Sequence, residues 1–258
     1  MKNRVLCWLV IGVVAAVTGC GKEDHMKKNV MVARYTQTPI VLDGKLDDAA
    51  WKEAKAYQLV LPKDKVAEGR KLQEPGEVKL AWDDNFFYVG ARLTDSDIVA
   101  ESDEDQDHHY KKGDVLEIFL KPEAKTWYWE LYATPKGKKT CFWFPGRGRL
   151  GLESCYKEAD KCKLRVAAHC EGTLNNWQDK DIAWTVEVQI PIADLTADPS
   201  TDQKSGGETF RPDSKWRILV ARYNYSRYLP WVENTAFPRL SKVNYHLLEE
   251  YAVLKLVK

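Results

Sequence analysis

A short segment of the chain, KTWYWELYATPKG, combines residue types that together bind sugars. Trp127, Tyr128 and Trp129 are consecutive large aromatic residues, and Glu130 follows them directly. A pyranose has apolar C–H faces and polar edges, so aromatic rings cover its faces and carboxylates accept hydrogen bonds from its hydroxyls. The same residues also suit the two faces of a buried strand, so the direction of each side chain has to be decided first.

Strand alternation decides which residues of this segment face a ligand. Leu131 and Ala133 are small apolar residues that suit a core, and alternation places the two tryptophans, Trp127 and Trp129, on their face. We therefore predict that both tryptophans are core residues. The opposite face holds the candidates for ligand contact: Tyr128, Glu130 and Tyr132.

A second carboxylate interrupts the strand GDVLEIFLKP. Leu116 and Ile118 belong to an apolar face, whereas Glu117 shares the other face with Phe119. A carboxylate in a buried or cleft position needs a partner. We predict that Glu117 contacts the ligand.

Two more aromatic residues lie in loop-like stretches. Trp231 follows a proline in LPWVE, and Tyr110 follows two histidines in HHYKKGD. Both are candidate platforms for a sugar ring; the alternatives are a Trp231 that packs over one end of the fold and a solvated Tyr110. His108 and His109 do not indicate a metal site, because adjacent residues on a strand point to opposite sides.

The acidic stretch DSDIVAESDEDQDHH, residues 95–109, is a predicted loop between strands. Its carboxylates could hold calcium through their oxygens, but the spacing is not that of an EF-hand, which favours a solvated loop. A structural calcium therefore stays a candidate, and we expect no other cofactor.

Segments in which apolar and polar residues alternate extend over most of the chain. They are the predicted strands that must position the candidate residues. They read EVKLAW, FFYVGARL, GDVLEIFLKP, KCKLRVAAHC, IAWTVEVQIPIADL, KWRILVARYNY and YAVLKLVK. Many strands, one short helix near the N-terminus and no alternation of strands with helices predict an all-β fold. We expect an antiparallel two-sheet β-sandwich of the jelly-roll or immunoglobulin-like type, with Trp51 and Trp82 in the core.

Composition argues against a nucleic-acid-binding surface. The formal net charge is +1, whereas such a surface needs a basic excess. The chain has 10 Trp and 12 Tyr, which serve ligand surfaces as well as cores. We find no internal repeat and no second linker, so we expect a monomer with one folded domain at 36–258.

The N-terminus has the features of an export signal. A basic head, MKNR, precedes the apolar run VLCWLVIGVVAAV, which is too short for a transmembrane helix. The small residues before Cys20 resemble a bacterial lipobox. We predict a lipoprotein signal peptide at 1–19 and lipidation of Cys20, followed by a polar tether at 20–35. The expected location is the bacterial cell envelope, at the outer membrane or facing the periplasm; the alternative is an ordinary signal peptide with a chance cysteine.

Four further cysteines allow up to two disulfides in an oxidising compartment. Cys162 and Cys170 lie at the ends of one predicted strand, about 26 Å apart at the usual rise per residue, which is beyond disulfide reach. The pairings left open are 141–162 with 155–170, or 141–170 with 155–162. The alternative is that the cysteines are free buried thiols.

The order of several segments resembles carbohydrate-binding module family 9. The matching segments are IVLDGKLDDAAWKEA, VKLAWDDNFFYVGARLTDSDI, GDVLEIFLKP, YWELYATPKG, GTLNNWQDKDIAWTVEVQIPIADL, WRILVARYN, LPWVE and NYHLLEEYAVLKL. They cover the chain from about Thr36 to Lys258. The resemblance implies a sandwich that binds poly- or oligosaccharides of the xylan or cellulose type and performs no chemistry; some members bind calcium.

The resemblance also assigns roles to individual residues. In this family a sugar lies between two aromatic rings, which correspond to Tyr110, where a tryptophan is usual, and Trp231. Glu117 corresponds to a glutamate that accepts hydrogen bonds from sugar hydroxyls. At Glu130 the family can have an arginine, so this chain has two carboxylates in place of a carboxylate and a guanidinium.

Two neighbouring carboxylates repel each other unless a cation or a proton lies between them. Arg222 is the candidate cation, although alternation places it on the face of Ile218 and Val220. Glycosidases also use two carboxylates, but no second carboxylate is evident on an opposing wall, so hydrolysis is the less favoured function. The remaining alternative is a structural or partner-binding envelope lipoprotein without sugar affinity.

Overall fold

The computed structural model describes residues 29–147, 163–197 and 208–258. Within these ranges the strands are β1 (Val30–Tyr35), β2 (Tyr57–Gln58), β3 (Gly76–Trp82), β4 (Phe86–Thr94), β5 (Val115–Pro122), β6 (Tyr128–Ala133), β7 (Lys139–Phe144), β8 (Arg165–Glu171), β9 (Ala183–Pro191), β10 (Trp216–Asn224), β11 (Glu233–Phe237) and β12 (Ala252–Val257). The α-helices are α1 (Ala49–Glu53), α2 (Lys63–Ala67) and α3 (Ile192–Leu195), and 3₁₀ turns cover His109–Lys111 and Leu248–Glu250.

Hydrogen bonds connect the strands into one continuous sheet. Its order is β7-β6-β5-β10-β12-β1-β3-β4-β9-β8, with β11 beside β10 and β2 beside β3. The all-β prediction is confirmed. The prediction of purely antiparallel strands is wrong, because β1 pairs in parallel with both β12 and β3 and so joins the two halves into one mixed sheet. The jelly-roll or immunoglobulin-like topology stays a prediction.

The main core contains the inward faces of both halves of the sheet. Trp127, Trp129, Leu131 and Ala133 all belong to it and are buried. The alternation inferred for this segment is therefore correct, and its two tryptophans are buried core residues. Trp82 is a core residue of the same cluster, as predicted.

A second apolar cluster lies on the opposite face of β5, β6, β7 and β10, which we call the outer face. It contains Val115 and Phe119 of β5 and Tyr128 of β6. Residues 240–251, which we call the covering segment, pack against it. The hydroxyl of Tyr245 donates to the carbonyl oxygen of Arg222 at 3.0 Å, and that of Tyr251 donates to Tyr245 at 2.6 Å. These bonds fix the covering segment above the sheet.

Helix α1 packs on the far half of the sheet. Trp51 is fully buried, as predicted, and its indole N–H donates to Glu187 Oε1 at 2.7 Å. The backbone N–H groups of Asp43 and Gly44 donate to the other oxygen of that carboxylate at 2.9 and 2.7 Å. Gly44 has φ of 83° and approaches the backbone of Ala168 so closely that a Cβ atom would collide with it. One buried carboxylate thus anchors the N-terminal loop and α1 together.

The folded domain begins earlier than the sequence suggested. Residues 30–35, assigned above to the tether, form β1 in the middle of the sheet. Their partner β12 is more than two hundred residues away, and a parallel pairing of this kind leaves no local turn signal. The predicted signal peptide, Cys20 and most of the predicted tether lie outside the described residues. Among the residues described, no helix combines the length and apolarity needed to span a membrane.

Both disulfide arrangements left open require a bridge to Cys170. Cys170 is a free thiol that donates a weak hydrogen bond to the carbonyl oxygen of Pro135 at 3.7 Å, and burial raises its pKa to about 11. Neither arrangement is therefore formed in this structure. Cys155 and Cys162 lie outside the described residues.

Candidate functional site

A cavity of about 820 Å³ opens between the outer face and the covering segment. Its floor consists of side chains from three neighbouring strands: Glu117 of β5, Glu130 and Tyr132 of β6, and Tyr223 of β10. Glu117 pairs with Tyr132 across β5 and β6, and Glu130 is its diagonal neighbour. Strand register therefore brings two of the predicted carboxylates to the same floor.

Aromatic residues form the walls. Tyr110 and His108 come from the loop before β5, and Phe142 and Phe144 come from β7. Rings pack edge to face around the opening, with Tyr110 to Tyr132 centroids 6.3 Å apart at 82°. The rim is completed by Arg147 and residues 242–247 of the covering segment. The size falls within the range of roughly 300–1,000 Å³ that is common for small-molecule sites.

Tyr110 is held in place from outside the cavity. Its carbonyl oxygen accepts a hydrogen bond from the hydroxyl of Tyr225 at 2.6 Å, and the Tyr225 N–H donates to Asp114 at 2.7 Å. Gly113 has φ of 134°, and a Cβ atom there would lie 2.2 Å from the carbonyl oxygen of Val99. A glycine is thus required where this loop turns into β5.

The two floor carboxyl groups are almost completely buried, with 2% and 5% exposure for Glu117 and Glu130. The hydroxyl of Tyr132 donates to Glu130 Oε1. Burial raises the pKa of Glu130 to about 7, and burial together with the neighbouring Glu130 charge raises the pKa of Glu117 well above its usual value. The pair therefore keeps a proton at neutral pH, which is one of the two ways of relieving the repulsion.

A histidine of the covering segment lies next to this pair. His246 Nε2 is 3.8 Å from Glu130 Oε2, and its Nδ1 shares a hydrogen bond of 2.8 Å with the hydroxyl of Tyr128. Burial lowers the pKa of His246, so the imidazole is neutral at pH 7. Tyr128 stacks on Phe144 at 4.9 Å and 8° and is itself buried beside the cavity, where it positions His246.

Arg222 does not face the carboxylate pair. It lies on the core face of β10, 1% exposed, and Nη2 donates to Asp95 Oδ2 at 2.9 Å while Nη1 donates to the carbonyl oxygen of Glu74 at 3.3 Å. Its neighbour across the strands is Leu116, whereas Glu117 is opposite Ala221. The suggestion that Arg222 neutralises the pair is therefore wrong, and alternation had indicated this face.

Trp231 lies between β10 and β11, half-buried, and does not line the cavity. The guanidinium of Arg70 stacks on its ring at 4.6 Å. The structure thus brings Tyr110, Glu117, Glu130 and Tyr132 together and leaves Trp231 apart. A sugar-binding role for Trp231 stays a prediction that needs a ligand reaching beyond the cavity.

Sequence reasoning missed several residues of the site. Phe142 and Phe144 alternate along β7, and Tyr223 lies on β10. No ligand-facing side is predicted for either strand from the sequence. Asn244 and His246 lie in the covering segment, which has no periodicity that shows where it packs. The alternation of KTCFWF was the one available signal.

The acidic stretch after β4 forms a loop, as predicted. Asp95 and Asp97 are buried in it. Asp97 accepts a hydrogen bond from the N–H of Arg227 at 2.8 Å, so its oxygen already has a protein donor. Over the described ranges, no group of three or more His, Cys, Asp or Glu side chains is arranged to hold a metal ion.

Comparisons with known proteins identify the family and the fold. Residues 42–214 match the family model described as carbohydrate family 9 binding domain-like. No curated protein matches the chain by sequence. A candidate carbohydrate-binding protein from Bacteroides uniformis has a similar fold, with a TM-score of 0.61, 9% identity and coverage of 88% of this chain and 99% of that one.

Two further structures come from Caldicellulosiruptor kristjanssonii and are described as a carbohydrate-binding module of family 9. One is in complex with cellotriose, with a TM-score of 0.57, 15% identity and coverage of 88% of this chain and 93% of that one. The other is in complex with glucose, with a TM-score of 0.53, 15% identity and coverage of 88% and 95%. At these identities the similarity shows the fold.

Proposed function

The chain belongs to the carbohydrate family 9 binding domain-like family, and we infer that it binds an oligosaccharide in the cavity of the outer face without chemical turnover. The observation that carries the proposal is the cavity itself, with carboxyl groups on its floor and aromatic rings on its walls. The family model and the sugar complexes of similar folds support sugar as the ligand class. The β-linked glycans of the xylan or cellulose type are the first candidates.

The chemistry of the site suits a pyranose. The rings of Tyr110 and Phe142 offer apolar surface to its C–H faces, while Glu117 and Glu130 accept hydrogen bonds from its hydroxyls. Because one carboxyl group retains a proton, the floor also offers a donor. Water competes for every hydroxyl, so each such bond contributes only about 0.5–1.5 kcal/mol, and we expect modest affinity.

The arrangement does not favour hydrolysis. A glycosidase places its two carboxyl groups on either side of the scissile bond. Glu117 and Glu130 are diagonal neighbours on one face of one strand pair, so both approach a ligand from the same side. The proposal is therefore a binding function.

Calorimetric titration with cellotriose tests the proposal. We expect saturable binding to the wild type and a loss of about tenfold in affinity in Tyr110→Ala, because a wall of the cavity is removed. Tyr35→Ala is the matched control: Tyr35 packs on Trp82 in the other half of the sheet and does not line the cavity. No binding of cellotriose or of any oligosaccharide on a broad glycan array would exclude the function.

We also propose that the mature protein is anchored in the bacterial envelope by lipid on Cys20. Nine residues separate Cys20 from Val30, enough to span roughly 30 Å when extended. Metabolic labelling with a fatty-acid analogue is expected to label the wild type and not Cys20→Ala, which should leave the membrane fraction. Label on Cys20→Ala would contradict the anchor.

A further inference from the structure

The carboxyl pair on the cavity floor has no cation of its own in the part of the chain described. Arg147, at the rim, forms an ion pair with Glu249. His246, 3.8 Å from Glu130, is kept neutral by burial. Lys242 is exposed at the rim, where water and salt screen its charge.

Hydrogen bonding also leaves the pair incompletely satisfied. Two carboxylates offer about eight lone-pair directions. Tyr132 donates its one hydroxyl proton to Glu130, and the same hydroxyl also lies within hydrogen-bonding range of Glu117. A single proton cannot serve both groups at once. The remaining acceptor capacity lies at the cavity floor, since both side chains line the cavity.

Aromatic rings line the cavity around the carboxyl pair. They are Tyr110, Tyr132, Tyr223, Phe142 and Phe144, with Tyr110 to Tyr223 centroids 5.6 Å apart and Tyr132 to Phe142 centroids 5.4 Å apart. The negative faces of aromatic rings attract a desolvated cation, by up to about 2 kcal/mol for each ring. Aromatic rings that surround two carboxyl groups are typical of a site for an organic ammonium ion.

We propose that the cavity selects a pyranose carrying a protonated amine, so that its ligand is a β-linked amino sugar such as an oligomer of glucosamine. This inference rests on the proposed sugar-binding function and specifies its ligand class. The ammonium group donates to Glu117 and Glu130 and takes the place of the proton that the pair otherwise keeps. The sugar ring packs on the tyrosines that line the cavity. A metal ion fits less well, because two carboxyl groups are fewer than the six or more oxygens that calcium needs.

Three trisaccharides with the same β-1,4 linkage test the inference. They are cellotriose, the glucosamine trimer and its fully N-acetylated form, which differ at C2 in a hydroxyl, an ammonium and a neutral acetamide. In calorimetric titrations at pH 7, we expect the glucosamine trimer to bind at least about tenfold more tightly than the other two, a difference of about 1.4 kcal/mol.

The outcomes separate the inference from the function on which it rests. Cellotriose binding as tightly as the glucosamine trimer would refute the amine preference and leave sugar binding intact. Tightest binding of the acetylated trimer would also refute it, because that ligand is neutral. Absence of binding by all three would refute both.

Two variants test whether the carboxyl pair causes the preference. Glu130→Gln replaces one of the two carboxyl groups by an amide at nearly constant shape, and we expect the ratio of affinities for the glucosamine trimer over cellotriose to fall to about threefold or less. Glu117→Gln provides the same test if the first variant does not fold, as judged by near-ultraviolet circular dichroism. An unchanged ratio in a folded variant would refute the inference.

Glu123→Gln is the matched control. Glu123 directly follows β5 but is exposed and pairs with Arg217. Like Glu130→Gln, this variant replaces one carboxyl group by an amide, but it does not touch the cavity, so the ratio should stay at the wild-type value. A fall in this variant as well would show a nonspecific charge effect and would refute the proposed site.

Discussion

Two groups of buried carboxylates differ in their surroundings: one comes from loops and contacts Arg222 and Asn224 on the core face of β10, and the other lies on the outer face of β5 and β6. On the core face, Asp95 accepts hydrogen bonds from Arg222 and, at 3.2 Å, from the indole of Trp184. Glu74 accepts from Asn224 at 2.7 Å. On the outer face, Glu117 and Glu130 have one tyrosine hydroxyl between them and a cavity in front.

The difference is whether a carboxylate has a cationic partner within the fold. Burial raises the pKa in both groups, to about 6 at Asp95 and about 7 at Glu130. The largest neighbouring charge, however, is the cation Arg222 at Asp95 and the anion Glu130 at Glu117. A buried charge is stable only when it is paired and hydrogen-bonded. The first group has its partner in the fold, whereas the second is completed by a proton or a ligand.

Removal of Arg222, the cation that pairs with Asp95, should have the largest effect on stability. Arg222→Met leaves Asp95 buried without its partner, and breaking a buried pair in this way costs about 3–5 kcal/mol. We expect a reduction of this size in the free energy of unfolding, measured by urea denaturation at pH 7. A reduction below about 1 kcal/mol would show that Arg222 is not what satisfies the core-face group.

Removal of a carboxylate from the outer-face pair should instead raise the stability of the protein at high pH. The pKa of Glu130 is about 7 when folded, above its usual 4.5. Below pH 4.5 both states carry the proton. Between the two values the folded state binds more protons, so stability falls as pH rises, and the loss is complete above about pH 7. Among the described residues, the titratable groups that interact with Glu130 are Glu117, Tyr132, Tyr223, Tyr251 and His246.

Glu130→Gln removes this loss of stability with rising pH. We expect the variant to be more stable than the wild type by about 1–3 kcal/mol at pH 8 and by much less at pH 4, as measured by thermal and urea unfolding at both values. A variant that is destabilised equally at both pH values would show that Glu130 is as well satisfied as the core-face carboxylates and would remove the contrast.

Tyr132→Phe should have a smaller effect on stability, and it removes the hydroxyl donor that the pair has among the described residues. Loss of a hydrogen bond to a buried carboxyl group costs about 1–3 kcal/mol when the group stays unsatisfied, but here the cavity admits water. We therefore expect a loss of stability below about 1.5 kcal/mol, largest at high pH, where Glu130 is charged. Tyr128→Phe, which removes a hydroxyl bonded to His246, is the comparison, and its effect should be largely independent of pH.

Alternation along single strands predicted much of the outer face from sequence. It placed Trp127 and Trp129 in the core and brought Glu130 and Tyr132 to the side of Glu117, because a period of two needs only local sequence. The contact between Arg222 and Asp95 joins residues 127 positions apart, and no local pattern reports it. Strand β1 was taken for tether for the same reason, since its partner β12 is at the other end of the chain.

Substitution of the loop residue Trp231 should have the smallest effect on binding, and it tests how far the binding site extends. Its ring is stacked on Arg70 and lies outside the cavity, so Trp231→Ala should bind a trisaccharide within about twofold of the wild type. If the sequence-based assignment of Trp231 to sugar binding is correct, the same variant should bind a hexasaccharide several-fold more weakly, because stacking one ring on an aromatic residue contributes about 0.5–1.5 kcal/mol. Loss of trisaccharide binding instead would place Trp231 within the primary site and show that the carboxyl-floored cavity is not the whole of it.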